Sequence, residues 1–449
     1  MTRSPGPMPR RGALAAGAAL TALHAKPRYV TAQTPSGCAS EREISDAYIY
    51  LLGRLFVTRQ QQLDFREGFR WNELLHRKPG AVDWPNPNLD VAYSEGWVAV
   101  DERSCTVVSV PEVKDRYYTV QVINGWGETL ANINERLFPH RPHGDFALCL
   151  RGTEATVPAG VIRIDLPVKH ARILTRVHLG TDQDEAVVLQ QRFRLTATGT
   201  PSLPEIPQTP IFELQEFPGV EAFDAAAAAL DSEPDINPGL GPLQEKVRSI
   251  AQAVRNPAER TRVDRIIRTR AFADIAKAGT TIGHGTVYNG WARPGAVGEY
   301  GVDYVTRTLV NYGGIWANVK PEVLYYRGGN DATGAPLNGE HAYTLTFPAD
   351  ALPSRFAKYF WSVIAVDGTR FRVLPNPLER YLINAASRPE YGHDGSLTLY
   401  FAAERPPGAP DGNWLTTPRG QAYRLIFRFY GPLDGVAIGT WYPPLIMRR

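Results

Sequence analysis

The chain has 449 residues, 43% hydrophobic and 21% charged, with 40 Gly and 37 Pro. This composition excludes a disordered chain and leaves room for two domains with cores of their own. The formal charge of +3 is carried by the first 32 residues, where Arg3, Arg10, Arg11, Lys26 and Arg28 meet no acid; beyond them 44 basic stand against 46 acidic residues, a balance of −2 that argues against nucleic acid or an anionic membrane as partner.

The N-terminus places Arg10-Arg11 before an apolar run from Ala13 to Leu23, with Val30-Thr31-Ala32 after it. The run is too short to cross a bilayer as a helix. It predicts a cleavable signal peptide over 1–32 and export, with the twin-arginine route as one option. No later stretch reads as a membrane span. Cys38 in "PSGCAS" lacks the aliphatic residue that a lipid-attachment site carries three places earlier.

Ile44, Ala47, Tyr48, Leu51, Leu52, Leu55 and Phe56 recur at helical spacing and predict a helix over 41–60. "PNPN" at 85–88 predicts a turn that launches a strand near Tyr93. From about 90 to 200 the period changes to two, and strands are expected at 106–110, 117–123, 146–150, 161–167 and 172–177. Cys105 and Cys149 fall in these apolar stretches and read as buried thiols. Residues 202–218 are Pro-rich, and helical patterns follow at 220–231, 242–255 and 257–279. A second strand-rich block starts near 295. In it "YTLTF" (343–347), "SLTLYF" (396–401) and "YRLIFRFY" (423–430) alternate as half-buried strands do.

Motifs of the common nucleophiles, phosphate loops and zinc sites are missing, and no cofactor is expected. What recurs is polar residues in turn settings among aromatics. One cluster is Asn88, Asp90 and Tyr93 with Arg116, Tyr118 and Trp126. The other is Asn376, Arg380 and Trp414. Such clusters line small-molecule sites, because a few convergent polar groups orient a ligand against aromatic walls.

Several of these residues recur as ordered motifs. Asn88-Leu89-Asp90-Val91-Ala92-Tyr93, Ser109-Val110-Pro111 and Arg116-Tyr117-Tyr118 form one set. Tyr343 to Pro348, Phe360-Trp361-Ser362, Asn376-Pro377 with Arg380-Tyr381, Asp394-Gly395-Ser396, Asn413-Trp414-Leu415 and Arg428-Phe429-Tyr430 form the other. With these motifs the chain resembles the paired families of unknown function numbered 1254 and 1214. It departs from them at Val91, where a Thr is usual, and at "NWLTTP". The resemblance implies a mainly β protein with two jelly-roll-like sandwiches, over 33–201 and 295–449, joined by a Pro-rich and helical region at 202–294.

The resulting expectation is an exported hydrolase-like enzyme acting on a small or amphiphilic carboxyl, sulfate or phosphate ester. Asp90 is the expected base and Arg116 the anion holder, with Asn88, Tyr93, Tyr118, Trp126, Asn376, Arg380 and Trp414 as ligand contacts. The alternatives are a non-catalytic carbohydrate or small-ligand module stacking on Trp126, Trp361 and Trp414, and a structural envelope protein. Homo-oligomerisation is left open.

Overall fold

The computed structural model describes residues 39–80 and 85–449. The expected signal peptide and Cys38 lie outside the described residues. Within them the chain is mainly β, with four sheets and a set of helices.

The N-terminal half builds two sheets. One has the order Leu75–His76, Val91–Ala99, His170–His178, Tyr118–Ile123, Thr129–Ile133. The other has the order Ile162–Leu166, Gly144–Leu150, Thr106–Val110, Arg194–Ala197. Val98, Val108, Val120, Phe146 and Ile173 from both sheets share one core. Each lies at alternate positions of a β-rich run, so one pleat face supplies the apolar layer.

The C-terminal half repeats the plan. Its larger sheet runs Thr286–Tyr288, Trp291–Arg293, Val323–Gly328, Tyr423–Pro432, Ala357–Asp367, Leu382–Asn384. Its smaller sheet runs Trp414–Thr416, Leu397–Ala402, Tyr343–Phe347, Met447–Arg448. Leu345, Phe347, Leu399, Phe427 and Phe429 fill the space between them.

The helix expected over 41–60 extends from Glu41 to Glu67. Ser40 and Glu43 close a capping box at its start, and Gly68 takes a left-handed φ of 114° at its end. It is buried nearly all round rather than along one stripe. The helices Gly241–Ala253, Pro257–Ile266 and Tyr304–Gly314 wrap it, and Leu51, Leu55, Val247, Ile266 and Leu309 share its core. At Gly53 the Tyr304–Gly314 helix comes so close that a Cβ would stand 2.4 Å from Thr308 Oγ1. None of the helices is long and apolar enough to cross a membrane among the described residues.

Two expectations change. Cys105 and Cys149 are joined in a disulfide rather than standing as separate thiols. The antiparallel register that pairs Thr106 with Leu148 brings them side by side at its end. The "YRLIFRFY" strand is also buried on both faces. Its Leu425, Phe427 and Phe429 face the C-terminal core, while Tyr430 belongs to a further core with Tyr93, Leu174, Trp316, Val323 and Phe360. This further core joins the outward faces of the larger sheets of the two halves. A face that reads as solvated along one strand is thus covered by the other half of the chain.

Candidate functional site

The segment Pro85 to Asp90 ties the two halves together, and its residue types explain how. Asn86 has a φ of 51°, a left-handed conformation that Asn tolerates better than most residues. Its backbone N–H donates to Phe371 O at 2.8 Å, and its side chain donates to Gly313 O. The Asn88 side-chain oxygen accepts from the Asp90 N–H at 2.6 Å, an Asx turn, while its amide donates to the Tyr430 phenol. Asp90 is 2% exposed. Its carboxylate accepts from Ser362 Oγ at 2.5 Å and from Asn384 Nδ2 at 2.7 Å. Burial pushes the Asp90 carboxyl above the usual range, against the pull of these two donors.

Beside this segment opens a cleft of about 1030 Å³. Its deep end is formed by Tyr93 and Arg176 from the N-terminal half and by Tyr325, Arg428 and Tyr430 from the C-terminal half. They meet because register fixes them on one face of each sheet. Tyr93 pairs with Arg176, and Tyr325 pairs with Arg428. Towards the other end Phe272, Ile275, Leu309 and Val310 make an apolar wall.

The electrostatics of the deep end are unusual. Arg176 is 4% and Arg428 is 1% exposed. Neither forms an ion pair among the described residues, whereas the buried Arg172 and Arg307 are both paired with carboxylates. Arg176 donates to Gln121 Oε1 at 2.6 Å and to Trp316 O at 2.9 Å. Arg428 donates through Nη2 to Asn86 O and Pro87 O, at 2.8 and 2.9 Å. Its Nη1, together with Asn86 Oδ1 and Trp316 Nε1, is buried without a hydrogen-bond partner. Burial raises the phenols of Tyr93, Tyr325 and Tyr430, so all three stay protonated; Tyr93 is hydrogen-bonded to Arg176 and Tyr430 to Tyr325. Asp331 is the one carboxylate among the described lining residues, and its Oδ1 is taken by Thr333 and Ala335. A surface of fixed cations and phenols suits an anionic group, and the apolar wall suits a hydrocarbon part.

Of the residues singled out from the sequence, Asn88 and Tyr93 line the cleft. Asp90 stands behind its wall and anchors the segment. Arg116 lies elsewhere, donating to His178 O and Leu179 O and pairing with Glu185 at 2.6 Å. The Tyr118 hydroxyl donates to Pro142 O. Trp126 is fully buried against the helices and donates to Glu233 O at 3.2 Å. Asn376 closes a turn onto Arg380, and Arg380 pairs with Asp411 over the Trp414 ring. Trp361 stacks on Phe427 inside the core. Arg176, Tyr325 and Arg428 are the residues that sequence reasoning did not select. A signal existed: arginines at alternate positions of apolar strands, in "RILTRV" and "YRLIFRFY", are costly unless something covers and uses them.

Family models match the chain twice, as protein of unknown function DUF1254 over residues 71–197 and protein of unknown function DUF1214 over 322–434. Comparison with curated proteins finds no match. Among solved structures, the VPA0106 protein from Vibrio parahaemolyticus is similar at 18% identity and a TM-score of 0.61, over 91% of this chain and 99% of that one. An uncharacterized protein from Burkholderia cenocepacia aligns at 14% identity and a TM-score of 0.46, over 90% and 86%. The first likeness shows a shared fold. With the two family matches in the order that the motifs announce, the chain belongs to the proteins that carry DUF1254 and DUF1214 in tandem.

Proposed function

We propose that the cleft between the two halves binds a small anionic amphiphile, with its anionic group at Arg428 and Arg176 and its hydrocarbon part along the helical wall. The observation that carries this reading is Arg428, a buried guanidinium that lines the cleft, forms no ion pair among the described residues and has an Nη1 without a hydrogen-bond partner. An uncompensated buried cation costs several kcal/mol. A bound carboxylate, sulfate or phosphate supplies the missing charge and accepts the orphaned hydrogen bond.

Ester hydrolysis is the chemistry that we assign to the site. Asn88 donates to the Tyr430 oxygen, and the Tyr430 phenol is hydrogen-bonded in turn to that of Tyr325. The guanidinium of Arg428 beside these linked phenols supplies fixed positive charge of the kind that stabilises a developing oxyanion. Asp90 enters as a positioning residue, since its carboxylate fastens the Asn86–Asn88 segment to Ser362 and Asn384. We read the chain as exported, supported by the signal-like N-terminus and by a disulfide of the kind that persists in oxidising compartments. We also read each pair of sheets as a jelly-roll-type sandwich with a helical connection.

A thermal-shift panel of alkyl carboxylates, sulfates, phosphates and neutral alcohols tests the reading. Anionic members are expected to raise the melting temperature and alcohols of equal chain length to leave it unchanged. Arg428→Met is expected to abolish the distinction. Equal shifts for anions and alcohols contradict it.

A further inference from the structure

Four arginines stand among the described residues that line the cleft, and Arg176 and Arg428 are the two at its deep end. Arg424 and Arg428 project from the same face of the Tyr423–Pro432 strand, four residues apart, which sets them roughly 13 Å from each other along the strand. Ile426 lies between them and pairs with Arg327 on the neighbouring strand. Arg327 also lines the cleft, and its Nη2 donates to Gly279 O at 2.6 Å and Thr280 O at 3.1 Å. The Arg424 guanidinium lies 4.9 Å over the Phe371 ring and forms no hydrogen bond among the described residues. Neither side chain has an ion pair there. Asp367, the carboxylate that acts on Arg424, already accepts from the backbone N–H groups of Thr369, Arg370 and Arg372. Burial and the adjacent Arg424 pull Arg327 down to about 10. Two neighbouring cations repel each other, and a fold that pairs Arg136, Arg172 and Arg307 with acids leaves these two lining the cleft without an ion pair among the described residues.

We propose that Arg327 and Arg424 form a second anion subsite, so that the ligand is an elongated dianion with an apolar spacer. One terminal group sits at Arg428 and Arg176, the other at Arg327 and Arg424, and the spacer runs over Ile426 against the helical wall. This rests on the anion-pocket reading above and adds a length and a second charge to it. Carboxylate, sulfate and phosphate share the chemistry that both ends recognise; the separation of the two charges is what the strand dictates.

Calorimetric titration of the full chain with dodecanedioate and dodecanoate, below their aggregation concentrations, tests the subsite. The dianion is expected to bind on the order of ten-fold more tightly, the value of one extra charged hydrogen-bonded contact. Arg424→Met, and separately Arg424→Gln, are expected to bring dodecanedioate affinity down to no better than that of dodecanoate for the same variant. Butanedioate, too short to reach both ends, is expected to gain nothing from Arg424. Equal affinity of the wild type for dodecanedioate and dodecanoate overturns the second subsite and leaves the anion pocket standing. Failure of both ligands to bind overturns the anion pocket itself.

Discussion

Asp90 shows what a single residue contributes to this site. Its carboxylate is buried, holds Ser362 and Asn384, and has a raised pKa. The folded state therefore holds the Asp90 proton more tightly than the unfolded state does. Stability from this group is full below the unfolded pKa and declines as pH rises through the folded value. Asn in its place keeps an acceptor for one partner, and Ser362 can turn its hydroxyl to accept from the new amide. Asp90→Asn is expected to melt at nearly the wild-type temperature near neutrality and to lose this component of the pH dependence, read from paired melts between roughly pH 4 and pH 8. Identical pH profiles for the two proteins contradict the assignment. The sequence made Asn88, Asp90 and Tyr93 conspicuous because Asn and Asp beside prolines mark a turn. Arg428 and Arg176 escaped selection because strand alternation alone assigns their face to solvent. Only the pairing of two distant sheets, which no local pattern encodes, turns that face inward.

At the scale of the element, the Tyr423–Pro432 strand divides its labour by parity. Its odd-numbered side chains build the C-terminal core and its even-numbered ones, from Arg424 to Tyr430, build the cleft wall. Phe427 is fully buried and stacks with Trp361 and Phe429. Phe427→Ala is expected to cost about 3–5 kcal/mol in chemical unfolding; a loss within the range of surface substitutions, below about 1 kcal/mol, contradicts the packing. The Glu41–Glu67 helix offers a different test. Gly53 is the point where Thr308 donates to Ile49 O and Asn311 to Gly53 O, at 2.9 and 3.1 Å. Gly53→Ala gains helix propensity but forces the two helices apart, with an expected net loss of about 1–3 kcal/mol. A stabilised variant shows the approach to be looser than described. The helix itself was legible from its apolar spacing. Its burial on every side was not, because that comes from helices almost two hundred residues later.

At the scale of the whole molecule, the chain stacks a pair of sheets on a pair of sheets and flanks them with helices. The core that contains Tyr93, Trp97, Leu174, Trp316, Phe360 and Tyr430 draws on both family segments. Either half alone exposes this apolar surface. The described chain is therefore expected to unfold in a single calorimetric transition, with equal van't Hoff and calorimetric enthalpies; two separated transitions contradict a shared core. The mainly β character and the two-block order were readable from strand alternation and motif order. The disulfide was not, since spacing does not say which strands lie side by side. The central claim, that the space between the halves holds an anion on Arg428, is tested most directly by a crystal structure of the protein with bound 12-bromododecanoate, the bromine located by its anomalous signal. The account predicts carboxylate density within hydrogen-bond distance of Arg428 Nη1 and bromine density in the cleft beyond it. Density for the ligand at another place, with the cleft filled by water alone, would contradict it.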